Sequence, residues 1–343
     1  MEDVQVTRLA KTLSMPPAVA LLALVILSLG GCVSEEVPEA RVGESYKFAL
    51  VGDMPYYADP GTSLPPEFVA AQYAAVLQEI DEAEVAFVVH VGDTNSSRVC
   101  ADSVYAERYA EFEAIGHPVF YTPGDNEWLE CDNAGLDPME QLENLRAVFT
   151  QGDESLGGRK LPLERQSSSP GYEKFRENVR WRFGGDLYVT LHVVGGGNNR
   201  GPDAEPRPEF VERNEAVITW MRQSFALARQ ESLPSVVVVI HANPRWERFK
   251  RSEPNPSFSA FLEALYSEVE AFDGPVLLLH GDSHTFRVDK PLSNPMTGEM
   301  LANFTRVETF GHPNMHWVLI TVSSEDVDRF EIQPMIVKQN QPY

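Results

Sequence analysis

From Tyr46 onward the chain alternates short apolar runs with amphipathic stretches. "KFALVGD" (47–53) and "VAFVVHVGD" (85–93) are nearly unbroken apolar runs of buried-strand length, and each ends in Gly-Asp. Between them "PPEFVAAQYAAVLQEIDEAE" (65–84) opens on proline and sets Phe68, Ala71, Ala75, Leu77 and Ile80 near the helical period, which predicts a helix. "PVFYTPGD" (118–125) predicts a third strand ending in a turn, and "RWRFGGDLYVTLHVVGGGNN" (180–199) a hairpin with a Gly-Gly turn followed by a glycine-rich loop. The stretch 209–230 predicts a second helix with Val211, Ile218, Met221, Phe225 and Ala228 on one side. "PSVVVVIHANP" (234–244) and "PVLLLHGDSH" (275–284) are continuous apolar strands separated by a helix over 258–272. The tail, 316–324 and 329–337, alternates in the manner of antiparallel strands.

This order of strand–helix units predicts an α/β sandwich rather than two independent domains. Residues 151–178 are polar, with scattered Gly and Pro, and are expected to form a surface insertion or a flap over a site. No internal repeat is present.

Charge and the first residues add to this picture. The formal net charge is -23, from 51 acidic against 28 basic residues. A groove for nucleic acid needs clustered Lys and Arg, so no nucleic-acid partner is expected. Arg8 and Lys11 precede "AVALLALVILSLGG" (18–31), a basic start and a short apolar core of the kind found in export signals. Leu29-Gly30-Gly31-Cys32 resembles a bacterial lipobox, which implies cleavage before Cys32 and lipidation of that residue. Val33, where sorted lipoproteins carry Asp, implies an outer-membrane address in the cell envelope. The polar, acidic segment 33–46 then reads as a tether. In an exported domain Cys100 and Cys131 are free to pair, and both follow acidic strand-end loops by a few residues; the alternatives are a bridge between those loops or two free thiols.

Several predicted strands finish within a few residues of an acid or a histidine: Asp53, Asp93, Asp125 with Glu127, His241, and then His280, Asp282 and His284. Ligands collect at the carboxyl ends of parallel strands, so these side chains are expected to converge on one rim as a mixed carboxylate–imidazole metal site. One Gly-Asp turn means little, because Asp after a strand often bonds its own backbone. Several in series with Gly-Asp-Ser-His and a strand-terminal histidine mean more.

The ordered set over roughly 47–290 resembles the calcineurin-like metallophosphoesterases, whose motifs run Asp-x-His, Gly-Asp, Gly-Asn-His-Asp/Glu, a strand-terminal His and Gly-His-x-His. The resemblance implies a two-sheet αββα sandwich over 47–343, following a leader (1–31) and a tether (32–46). It also implies two adjacent divalent ions and attack of a metal-bound hydroxide on phosphorus. Asp53 matches the first aspartate, with Pro55 where the histidine belongs. Asp93 matches the aspartate that bridges both ions. Asp125 stands at the asparagine ligand, and Asn126 at the histidine that assists the leaving group. His241 matches directly, Asp282 replaces the first histidine of Gly-His-x-His, and His284 matches the second.

The added carboxylates favour Mg²⁺, Mn²⁺ or Ca²⁺ over Zn²⁺, as one or two ions. Tyr56 or Asp59 is the candidate to replace the ligand lost at Pro55, since the related purple acid phosphatases use a tyrosine there. Losing a general acid at Asn126 costs about two to four orders of magnitude in rate unless the leaving group is good. His280, an even number of residues from Asp282 and His284, and His90 are candidate substitutes, though His90 has the parity of the opposite strand face from Asp93. The loop "GGGNNRG" (195–201) offers backbone amides with Asn198, Asn199 and Arg200 to a phosphate, or is only a mobile connection. Residues 303–317, with Arg306, His312 and His316, are expected to pack in the core or on the surface, with lining of the cleft as the alternative. The expected activity is hydrolysis of a small or lipid-linked phosphoester. The rival is a degenerate scaffold that binds metal and a ligand without turnover.

Overall fold

Period-two alternation within the apolar runs explains how the sheets stack. Of the first strand, β1 (Tyr46–Val51), Phe48 and Leu50 join one buried cluster while Ala49 and Val51 join another. The chain then forms α1 (Pro66–Glu82), β2 (Val88–His90), α2 (Asp102–Ala114), β3 (Val119–Tyr121) and α3 (Pro138–Phe149). The second half adds β4 (Glu164–Arg165), β5 (Val179–Phe183), β6 (Asp186–Thr190), α4 (Pro208–Gln230), β7 (Val236–Val239), α5 (Trp246–Lys250), α6 (Ser259–Glu270) and β8 (Val276–His280). It closes with β9 (Arg287–Asp289), β10 (Phe304–Glu308), β11 (Trp317–Val322) and β12 (Phe330–Met335). This computed structural model describes residues 43–57, 64–294, 296–323 and 329–341. The expected export leader, Cys32, most of the expected tether and Asp59 lie outside them. No described helix is long and apolar enough to cross a membrane.

Two sheets result, ordered β12-β11-β1-β2-β3 and β4-β5-β6-β7-β8-β10-β9. β1, β2 and β3 run parallel, as do β6, β7, β8 and β10, whereas β11 and β12 pair antiparallel as their alternation predicts. Leu50, Val89 and Phe120 of the first sheet share a core with Val237, Val239, Leu277 and Leu279 of the second. The opposite face of the first sheet packs on α1, α2 and α3 through Val69, Tyr73, Phe112 and Leu145. The opposite face of the second packs on α4 and α6 through Trp220, Phe225, Phe261 and Leu265. The layers are therefore αββα. Gly184 and Gly185 close the β5–β6 hairpin with φ of 59° and 93°, values that residues bearing a Cβ rarely adopt.

Two expectations need correction. In α1 Phe68 is exposed, and Val69, Tyr73, Val76 and Ile80 face the sheet; in α4 Val211 is exposed, and Phe210, Val217 and Trp220 are buried. Small alanines had drawn the predicted α1 stripe one residue off the bulky face. Residues 151–178 do not form a loose flap. Leu156 pairs with Val119, and Glu177 is buried on Arg146 and His192, so the segment is sewn to the sheet edges. Residues 303–317 pack as expected, through a strand, β10, beside β8.

Candidate metal centre

Register brings the ends of the parallel strands level, since Val51 lies beside His90 and His90 beside Tyr121. The acids follow within two to four residues, so they share one rim. Main-chain bonds fasten the loops to one another. Asp53 N donates to Gly92 O (2.9 Å), His312 N to Asp53 O (2.9 Å) and Gly281 N to His241 O (3.0 Å). Asp53, Asp93, Asp282 and His284 all take left-handed backbone angles, with φ of 54°, 54°, 79° and 55°. Such angles cost non-glycine residues of order 1–3 kcal/mol each and persist where the surroundings hold them, commonly at functional sites.

Two triads of ligand atoms form within 4.8 Å: Asp53, Asp93 and His284, and Asp93, Asp125 and His241. Asp93 belongs to both. The imidazole Nδ1 of His241 lies 2.7 Å from Val91 O, and that of His284 lies 2.6 Å from His312 O. A carbonyl only accepts, so each Nδ1 carries the hydrogen and each Nε2 is turned into the centre. His241 Nε2 faces Asp125 Oδ1 at 3.2 Å and Asp93 Oδ1 at 3.5 Å. His284 Nε2 faces Tyr56 Oη at 3.2 Å and Asp53 Oδ1 at 3.7 Å. Tyr56, next to Pro55, turns its hydroxyl into the centre. Its hydroxyl has one hydrogen for two acceptors, Asp93 Oδ2 at 3.0 Å and His284 Nε2.

The electrostatics follow from this crowding. Burial pushes Asp53 up to about 6, against the pull of His241 and His284. Burial also pushes Asp93 well above the ordinary carboxylate range, reinforced by Asp125, Glu127 and Asp53 and opposed by His241. Asp125 goes the other way: burial would raise it, but its bond with His241 prevails. Burial opposes charge on His241, yet Asp93 and Asp125 hold its pKa well above the usual imidazole value. Burial raises Asp282 as well. Asp53 Oδ2 is buried and accepts no hydrogen bond from any described residue. Lone pairs turned toward one another, an orphaned carboxylate oxygen and a surplus of acids are what one or two divalent cations would satisfy, so these residues fit such ions.

Asp282 stands beside the second triad. Its Oδ2 accepts from Asn243 N at 2.7 Å, and its own N donates to Asp53 Oδ1 at 2.9 Å. Gly195 seats it against Asp125: a Cβ there would lie 2.5 Å from Asp125 Oδ2 and 2.6 Å from an Asp282 oxygen. The glycine loop therefore cradles the ligands through its backbone. Its side chains turn away, with Asn198 held by Arg213, Asn199 by Glu209 and Arg207, and Arg200 by the carbonyls of 201, 203 and 204. None of the three is free to take a phosphate.

Asn126 lies at the centre, donating to Tyr56 Oη (3.1 Å) and to Asn95 O (3.0 Å). It orients the tyrosine and has no acidic proton. His280 does not face the triads. It is fully buried, Nδ1 is 2.9 Å from Gly281 O, and Nε2 looks toward Glu308 at 4.0 Å. Burial lowers it to about 3, which keeps it neutral. Even spacing along β8 put His280 on the Leu278 face, toward the helices, and the left-handed turn at Asp282 re-aims the later side chains. His90 likewise packs on Phe112 in the helical layer. Glu127 clamps the two acidic loops, accepting from Thr94 N (2.7 Å) and Gly124 N (3.0 Å), and the Cys100–Cys131 disulfide joins the same loops. His312, expected to pack in preference to lining the cleft, stacks on Tyr56 at 5.4 Å and holds His284 through its carbonyl. Nothing in its local spacing announces this.

The sequence matches no protein-family model and no curated protein. Among solved structures the fold is similar to PhoD, with a TM-score of 0.52 at 11% identity over 88% of this chain and 68% of that one. It also overlaps the 5'-nucleotidase of Candida albicans SC5314, with a TM-score of 0.44 at 11% identity over 87% of this chain and 52% of that one. The second overlap is too loose to carry weight. The first, at this identity, speaks to the fold alone, a two-sheet αββα sandwich similar to that of PhoD.

Proposed function

We propose that the chain is a divalent-cation-dependent phosphoester hydrolase. The observation that carries this reading is the pair of triads sharing Asp93, set at strand ends of a metallophosphoesterase-type fold, with both histidine Nε2 atoms aimed at anionic oxygens. Bound there, divalent ions would activate water and neutralise the oxygens of a phosphoryl group. Carboxylates outnumber imidazoles, which favours Mg²⁺, Mn²⁺ or Ca²⁺.

The protein's own residues prepare that chemistry. Val91 O and His312 O fix which nitrogen of each histidine points inward. Asn126 holds Tyr56, and Gly195 lets Asp125 and Asp282 stand together. No side chain at the Asn126 position has a proton to give the leaving group, so esters of acidic alcohols are the expected substrates. The same substitution favours a second reading, a scaffold that keeps a cation and binds a ligand without turnover. An envelope lipoprotein anchored through Cys32, acting on a small or lipid-linked phosphate, is the setting we propose for either.

The test is hydrolysis of aryl phosphate mono- and diesters by the purified chain with added Mn²⁺, Mg²⁺ or Ca²⁺. Turnover lost in Asp93→Asn supports the hydrolase. Stoichiometric metal without turnover across the panel supports the second reading instead.

A further inference from the structure

Beside the metal centre lies a small, partly open pocket of about 80 Å³, lined by Pro55, Tyr57, Thr94, Asn95, Ser96 and Arg108 among others. Arg108 projects from α2 and is 2% exposed. Its Nη2 takes Glu111 at 3.1 Å and Glu107 at 3.3 Å, and the guanidinium lies 4.3 Å above the Tyr57 ring. Its Nε and Nη1 are buried and find no acceptor among the described residues, nor does the buried hydroxyl of Ser96 find a partner there. A buried donor on a charged group left unmet is costly, so the cavity calls for an acceptor-rich occupant. Glu111 balances the arginine charge through Oε1, while its Oε2 is buried without a partner among the described residues. Glu107 also lines the cavity, but it is largely exposed and its charge is screened by solvent.

We propose that this cavity is an anion subsite for one compact tetrahedral oxyanion, a phosphate group, bound by Arg108 and Ser96. Its position suits that role. Thr94, Asn95 and Ser96 directly follow Asp93, Pro55 and Tyr57 flank Tyr56, and Asn95 O accepts from Asn126, so the cavity and the metal centre share a wall. The planar guanidinium fork matches phosphate oxygens, and the volume suits one such group rather than a base or a sugar. The occupant is either the free ion or a second phosphoryl group on a substrate whose first is held at the metal centre. The subsite binds whether or not the metal centre turns over.

Calorimetric titration of the chelator-treated chain with inorganic phosphate at fixed ionic strength tests this directly. Wild type and Asp93→Asn are expected to bind one phosphate. Arg108→Gln is expected to bind it about tenfold more weakly or not at all, and Ser96→Ala a few-fold more weakly. Should Arg108→Gln fail to fold, Arg108→Lys and the rise in wild-type melting temperature with phosphate over chloride decide the matter. Equal binding by wild type and the Arg108 variants, or no phosphate binding and no shift in wild type, overturns the proposal. The two sources separate in steady-state assays. A second phosphoryl group predicts that Arg108→Gln raises KM for a bisphosphate and not for a monophosphate. A free-ion site predicts unchanged KM for both and relief of inhibition by added phosphate. Absence of turnover would count against the hydrolase reading alone, because the titration needs none.

Discussion

The half of the centre around His241 and the half around His284 share Asp93 and differ in nearly everything else. His241 is fully buried, its partners Asp93 and Asp125 are almost so, and a disulfide and Glu127 clamp the loops that bear them. His284 keeps 29% of its side chain exposed, and its half is completed by Tyr56 and by the His312 carbonyl from a distant loop. A preorganised, dry half is built to retain an ion. A half-open one with a protonated phenol holds an ion less tightly. The contrast teaches that one shared aspartate can join two positions of different burial and support.

The largest effect is expected where the halves meet. Asp93→Asn removes a charge from both, and losing several kcal/mol of transition-state stabilisation lowers turnover roughly a thousandfold or more. Elemental analysis of that variant is expected to find both ions lost, and retention of either would show that the halves are independent. Next is Gly195→Ala, whose methyl group displaces Asp125 and Asp282 from one another. Mis-set ligand support costs about 10–100-fold in metal affinity, here in the His241 half alone, as a Mn²⁺ titration would read.

Proton linkage comes third. Asp53 rises from an ordinary 3.8 to about 6 in the folded chain. The metal-free folded protein thus keeps a proton that the unfolded chain has released, and this group's contribution to stability falls as pH rises through that window. A cation expels this proton and the one that the raised Asp93 carboxyl keeps, so affinity in the His284 half is expected to climb at least tenfold per pH unit up to about pH 6. Calorimetry in buffers of different ionisation enthalpy counts the released protons. The smallest effect is that of Tyr56→Phe. It removes one neutral oxygen from the exposed half, and it is expected to weaken the ion of that half about tenfold and leave the other untouched.

The same contrast separates what the sequence disclosed from what it hid. Asp93, Asp125 and His241 end apolar strands, so period-two runs stopping at acids exposed both the first sheet and the buried half. The two-layer sandwich was legible for the same reason. α2 was not, because its buried stripe of Tyr105, Arg108 and Phe112 has an arginine in the middle, and β10 was hidden by buried Arg306 and Glu308. The open half was only partly readable. Tyr56 followed from asking what replaces a histidine at Pro55, but His312 acts through a carbonyl, and a backbone group leaves no mark in a side-chain pattern. Parity misled at His280 because left-handed turns break strand alternation just where the ligands begin.

Anomalous diffraction at the manganese edge from Mn²⁺-soaked crystals tests the central claim most directly. The account predicts a strong peak among Asp93, Asp125 and His241 and a weaker one among Asp53, Asp93, Tyr56 and His284. An empty rim with intact side chains, or manganese bound only elsewhere, would contradict it.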